Sequence, residues 1–146
     1  AIAGERVNLT QNDGEKDPEN LLYLGFVTDG EMKTLMRNCK AFIHPAKYEG
    51  FGITPMEAMS VGAPIILSNA TCLPEVYGNT VHYIDPDNAD VNLDELLKQP
   101  VEDSSKVLTK YSWSNMSRIV YQAIKEKQNT ISKGTEVQKS SLSKFP

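Results

Sequence analysis

Residues 41–67 decide the fold: Ala41-Phe42-Ile43-His44-Pro45-Ala46-Lys47-Tyr48-Glu49-Gly50-Phe51-Gly52-Ile53-Thr54-Pro55-Met56-Glu57-Ala58-Met59-Ser60-Val61-Gly62-Ala63-Pro64-Ile65-Ile66-Leu67. Ala41–His44 is a short apolar run ended by Pro45, the pattern of a buried strand. A loop follows from Ala46 to Ile53. Thr54 then offers a helix N-cap, with Pro55 at the first helical position, Glu57 three residues after the cap, and Gly62 beyond the far end. Pro64-Ile65-Ile66-Leu67 is the next apolar run. Strand, loop, helix and strand in this order predict a parallel pair joined by a helical crossover, the unit of an α/β protein.

The same rhythm extends both ways. Leu21-Leu22-Tyr23-Leu24 reads as a strand closed by Gly25. Asp29 can cap a helix whose Met32, Leu35, Met36 and Cys39 share one face. Pro74 opens a short helix that stops at Gly78, and Val81-His82-Tyr83-Ile84 is a further strand turned by Asp85-Pro86-Asp87-Asn88. Asn92-x-x-Glu95 begins another helix, with Leu93, Leu96 and Leu97, limited by Pro100. The last helix runs from about Trp113 to Lys127 with Trp113, Met116, Val120, Ala123 and Ile124 on one face, and Trp113 is expected to anchor the core. Residues 5–20 read as a polar loop, and residues 129–146 as a polar, disordered tail.

Composition narrows the function. The 146 residues suffice for one domain with its own core. A net charge of −4 argues against nucleic acid or an anionic membrane as partner. It leaves room for a local anion site, because backbone N–H groups hold phosphate without Lys or Arg. Cys39 and Cys72 fit neither a disulfide framework nor zinc spacing and are expected to be buried thiols. No apolar run reaches the roughly 20 residues of a membrane span, and the start has no leader-like pattern. The Asn-x-Ser/Thr patterns at Asn8, Asn69 and Asn115 are therefore read as chance matches.

The chemistry concentrates in Glu49–Glu57. The segment joins the carboxyl end of a strand to the amino end of a helix, where open α/β sheets bind ligands. The helix start attracts phosphate through its free N–H groups and its dipole. Gly50 and Gly52 open the backbone to close approach. Glu49 and Glu57 supply strong acceptors for hydroxyl-rich groups. A phosphate between two polyols describes a nucleotide-sugar. Taken singly, Glu57 reads as the capping partner of Thr54, Glu49 as a loop acid and the glycines as a tight turn. Both histidines read as packed residues, with His44 nearest the loop. Asp85-Pro86-Asp87 has the spacing of a metal-binding pair but reads as a turn.

The string Glu49–Glu57 resembles the E-x7-E motif of retaining GT-B glycosyltransferases, in the form typical of glycosyltransferase family 4. The likeness continues in Leu22-Tyr23-Leu24-Gly25-Phe26-Val27, Ala41–Ala46, Glu57–Ile66, Leu73-Pro74-Glu75-Val76 and Tyr111-Ser112-Trp113, covering about residues 1–128. It implies a Rossmann-like parallel sheet flanked by helices, the carboxy-terminal, nucleotide-sugar-binding domain of a GT-B fold without its opening portion. By the same resemblance, Glu49 is the catalytic carboxylate: it sits beside the donor sugar, hydrogen-bonds its hydroxyls and helps to stabilise the charge that develops at the anomeric carbon. Phe51 and Gly52, after Gly50, offer N–H groups to its hydroxyls, and Ile53 and Thr54 offer theirs to the distal phosphate. Glu57 binds the ribose, and the backbone near Phe26 and Val27 borders the nucleobase.

The resemblance further implies a hexosyltransferase with a glycan, lipid-linked or glycolipid acceptor, acting in polysaccharide biosynthesis without a cofactor or obligatory metal. An amino-terminal GT-B domain would supply the acceptor pocket, and an earlier strand the diphosphate-binding Arg and Lys. Arg6 does not match that context. The expected location is the cytoplasm, at the membrane surface through the other domain, and the isolated 146 residues are expected to be inactive. The alternative is a non-catalytic nucleotide-sugar-binding module that has kept the fold.

Overall fold

Short β-branched and aliphatic runs form the strands, and glycine, proline and Asx residues punctuate them. The computed structural model describes residues 1–4, 19–88 and 90–142. Most of the polar loop expected over 5–20, with Arg6 and the Asn8 pattern, lies outside the described residues, as does the end of the tail at 143–146. The elements in order are β1 (Ile2–Ala3), β2 (Tyr23–Gly25), α1 (Asp29–Asn38), β3 (Phe42–His44), α2 (Ile53–Ser60), β4 (Ile65–Ser68), α3 (Leu73–Tyr77), β5 (His82–Ile84), α4 (Leu93–Leu96), α5 (Ser105–Lys110) and α6 (Trp113–Leu142).

Two sheets form, both with parallel pairing: β1–β2, and a three-stranded sheet in the order β3-β4-β5. Phe42, Ile43 and His44 pair with Ile65, Ile66 and Leu67. Ile66, Leu67 and Ser68 pair with His82, Tyr83 and Ile84. The central strand β4 is buried at every residue, which explains its unbroken apolar run. Around it the core gathers Ala58, Met59, Leu73, Val76, Tyr77 and Val81. Helix α2 packs on β3 and β4, and α1 on α2. The architecture is α/β and Rossmann-like: parallel strands flanked by helices.

The chain divides into two compact units, Ala1–Asp103 and Ser104–Pro146. The first holds both sheets and every residue of the site considered below. The second holds α5 and α6. Ser112 heads α6, its Oγ accepting from the Asn115 N–H at 3.2 Å. The helix runs to Leu142, past Lys127 and with no break at residue 128. No proline interrupts residues 128–142, so the i→i−4 ladder can continue there.

Several local expectations are corrected. Helix α1 is capped by Thr28, not Asp29: Glu31 N–H donates to Thr28 Oγ1 at 3.4 Å, and Thr28 N–H donates to the Glu31 carboxylate at 2.8 Å. That reciprocal pair is a capping box. The Thr28 N–H, and with it the Thr28 hydroxyl, which donates to the same carboxylate oxygen at 2.8 Å, draws the Glu31 carboxyl below its ordinary value by favouring the ionised form. Helix α5 was not anticipated. Trp113 is 82% exposed rather than a core anchor, and Met116, Val120 and Ile124 are also exposed. Within their own unit the described residues offer the six-residue α5 beside α6, too short to cover such a stripe. Cys39 and Cys72 are half-buried free thiols rather than fully buried ones.

Two punctuation signals hold. Asn92 caps α4, accepting from Asp94 and Glu95 N–H. Asp85 closes the expected turn, its side chain accepting from Asp87 N–H at 2.9 Å and its carbonyl from Asn88 N–H at 3.1 Å. No helix among the described residues is long and apolar enough to cross a membrane.

Candidate functional site

The site is built on the loop between β3 and α2, at the carboxyl end of the parallel sheet. That end collects ligands in such sheets because loops and helix amino termini converge there. Four side chains between the end of β4 and the end of α3 fasten this loop. Ser68 Oγ donates to the Ala46 carbonyl. Thr71 Oγ1 accepts from Glu49 N–H at 3.2 Å and donates to the Glu49 carbonyl at 3.1 Å, where Cys72 Sγ also donates at 3.1 Å. The Tyr77 hydroxyl donates to the Gly52 carbonyl at 2.5 Å. Farther along, an exposed ion pair joins Lys47 to Asp87.

Gly52, not Thr54, is the N-cap of α2. It adopts φ +85°, in the left-handed region that glycine enters without steric cost. A Cβ there would lie 3.0 Å from Leu73 Cδ2 and 3.3 Å from the Tyr77 hydroxyl. Packing of α3 against this backbone therefore selects glycine twice over. Ile53 and Thr54 become the first two helical residues and Pro55 the third, so the expected Thr54–Glu57 capping box does not form. Pro55 has no N–H to leave unsatisfied, its ring is fully buried, and Met56 N–H closes the turn onto the Gly52 carbonyl at 3.2 Å. The N–H groups of Ile53 and Thr54 head the helix and donate to no acceptor among the described residues.

The Glu49 carboxylate folds back over its own loop. Its Oε1 accepts from Gly50 N–H at 3.1 Å and Phe51 N–H at 3.5 Å, and its Oε2 lies 3.1 Å from His44 Nε2. An ionised carboxylate only accepts, so this contact requires the hydrogen on Nε2. The His44 bond, followed by the Phe51 N–H, draws the Glu49 carboxyl below its ordinary value; desolvation opposes them, and the Gly50 and Gly52 N–H groups add smaller contributions in the same direction as His44. Both side chains are partly exposed, at 26% for His44 and 29% for Glu49. Phe42 stacks on the His44 ring and helps fix its plane. The packed role read for His44 thus gives way to a place in the site. The signal was its position as the last residue of a strand just before the loop.

The remaining site residues fall as follows. Glu57 is exposed on α2, and its carboxylate makes no hydrogen bond or ion pair among the described residues, so no capping role competes for it. Phe26 is 85% exposed and Val27 half-buried, at the mouth of a separate groove of about 510 Å³ between the end of β2 and α1. Leu24, Gly30, Glu31, Thr34 and Leu35 complete that groove. Among the described residues no group of three or more His, Cys, Asp or Glu is arranged to hold a metal ion. Burial pushes the Tyr77 hydroxyl pKa well up, so it stays protonated and can keep donating to Gly52.

The fold and site together define a Rossmann-like α/β domain with two carboxylates bracketing the head of a helix at its sheet's carboxyl edge. Comparison with known proteins settles the family. The chain belongs to the glycosyl transferases group 1 family, whose model matches residues 2–114. It is 34% identical over 112 residues to the O-antigen chain mannosyltransferase B of Escherichia coli, covering 70% of this chain and 29% of that protein. It is 48% identical over 58 residues to the serotype-specific mannosyltransferase WbdA of Escherichia coli, covering 40% of this chain and 7% of that protein. It is 29% identical over 107 residues to the O-antigen chain mannosyltransferase RfbU of Salmonella typhimurium, covering 70% and 30%. The chain thus spans less than a third of the length of each of these relatives.

Proposed function

We propose that the chain is the donor-binding part of a retaining, family-4-like glycosyltransferase that moves a hexose from a nucleoside-diphosphate sugar to a glycan, lipid-linked or glycolipid acceptor. The observation that carries this reading is the Glu49 carboxylate held ionised beside the head of α2, where the Ile53 and Thr54 N–H groups have no acceptor among the described residues. The relatives' names support mannose as the first hexose to test, and O-antigen-type polysaccharide as the setting.

In this reading the leaving nucleoside diphosphate builds negative charge at the head of α2. Ile53 and Thr54 N–H and the helix dipole stabilise that charge without having to reorganise, and one such donor typically contributes about 3–4 kcal/mol to the barrier. Glu49 faces the sugar and stabilises the positive charge that develops at the anomeric carbon. The Phe51 and Gly52 N–H groups, which turn to Glu49 here, are the donors for which the sugar hydroxyls compete. Glu57 accepts from the ribose hydroxyls, and the groove at Phe26 and Val27 takes the base. A second domain supplies the acceptor pocket and the basic partners of the diphosphate.

The test is Glu49→Ala in the enzyme that carries this chain, with transfer and donor binding followed separately across GDP-, UDP- and ADP-hexoses. Transfer is expected to be lost while binding of the preferred donor largely persists. Unchanged transfer would overturn the reading in favour of a non-catalytic nucleotide-sugar module.

A further inference from the structure

Thr71 is the one non-glycine residue with positive φ among the described residues, at +49°. It is β-branched, and for such a residue the left-handed region is a genuine outlier that carries backbone strain. The conformation persists because neighbouring interactions compensate for it. What it achieves is visible in the hydrogen bonds: one hydroxyl spans both backbone groups of Glu49, accepting from its N–H and donating to its carbonyl. The adjacent Cys72 thiol donates to the same carbonyl. The Asn69-Ala70-Thr71 triplet leaves β4 directly, with Asn69 N–H still paired to the Ile84 carbonyl at 2.8 Å. The hydroxyl is therefore carried on the end of the buried central strand and grips a loop 22 residues earlier in the chain.

We propose that Thr71 is a positioning residue for Glu49: its strained backbone and its hydroxyl together fix the Glu49 main chain, so that the carboxylate is presented to the donor sugar from one place. Thr71 does not touch the reacting atoms. The proposal rests on the reading of Glu49 given above. Glu49 side-chain contacts alone leave its backbone free to shift, because Gly50 and Gly52 flank it closely and resist motion poorly. Ser68 and Tyr77 pin the loop on either side, at Ala46 and Gly52, whereas Thr71 acts at the acid itself.

The experiment compares Thr71→Val, Thr71→Ser and Thr71→Gly with Glu49→Ala in the enzyme that carries this chain. Valine keeps the shape and removes the hydroxyl, serine keeps the hydroxyl, and glycine relieves the strain while removing the hydroxyl. Thr71→Val is expected to lower kcat about ten- to a hundredfold, with the donor KM within about twofold, as expected for a misplaced group rather than lost binding. Thr71→Ser is expected to recover most of kcat. Thr71→Gly is expected to stay as impaired as valine, and it carries the test alone should the valine variant fold poorly. Wild-type kcat in either Thr71→Val or Thr71→Gly overturns the proposal. If Glu49→Ala remains inactive in that case, the role of Glu49 still stands. Retained transfer in Glu49→Ala overturns both.

Discussion

Oε2 of Glu49 lies 3.1 Å from Nε2 of His44, across the junction where β3 becomes the loop. The His44 bond is the largest of the influences that lower the Glu49 carboxyl from its ordinary value of 4.5. A depressed carboxyl contributes stability above its unfolded value, and that contribution is lost as pH falls through the folded value. The contribution of Glu49 is therefore complete at neutral pH and disappears only in acid below the ordinary glutamate range. In His44→Ala the Glu49 carboxyl is expected to titrate at a higher pH, closer to 4.5, as followed by NMR of its carboxyl carbon. An unmoved titration would show that the loop N–H groups suffice without His44.

Gly52 meets two separate constraints, its φ of +85° and the Leu73 methyl 3.0 Å from where a Cβ would be. Gly52→Ala is expected to destabilise the fold by about 2–4 kcal/mol, combining left-handed strain with overpacking. Urea unfolding measures it. A loss below about 1 kcal/mol would mean that α3 yields readily, since surface substitutions without such constraints stay near that range.

Tyr77 is fully buried, and its hydroxyl shares the Gly52 carbonyl with the Met56 N–H. Tyr77→Phe leaves that carbonyl one partner, so the expected loss is modest, about 0.5–1.5 kcal/mol. The larger expected effect is on donor binding, because the hydroxyl fixes the start of α2. A thermal melt and a donor titration on the same variant separate the two.

Ile66 sits at the centre of β4 with none of its surface exposed, paired to Ile43 on one side and His82 on the other. Ile66→Ala is expected to cost about 2–5 kcal/mol through lost burial and the cavity left behind. Thermal or denaturant unfolding checks it.

The proposed reaction places the charge of the leaving diphosphate on backbone N–H groups. Transfer by the enzyme that carries this chain is accordingly expected to survive chelation by EDTA. Activity lost with EDTA and restored by a divalent cation would show that a metal shares that charge.

The alternation of strand and helix, the buried run Ile65–Leu67, the Asn92 cap and the Asp85 turn were legible because each depends on residues within a few positions of one another. The pair Glu49 and Glu57 was legible in the same way, as spacing across one loop and one helical turn. Local rules misplaced the start of α2. The Thr54-x-x-Glu57 spacing, with Pro55 next to Thr54, made Thr54 look like a cap rather than a helical residue. Contacts from α3, with Leu73 and Tyr77 more than 20 positions away, set the cap at Gly52 instead. The bond from Thr71 to Glu49, across 22 residues, is likewise outside any local pattern. Periodicity and punctuation determined the order of the elements and the loop that carries the acids. Only the tertiary structure decided how that loop is held, because parallel pairing of β3 with β4 brings their distant carboxyl-end segments side by side.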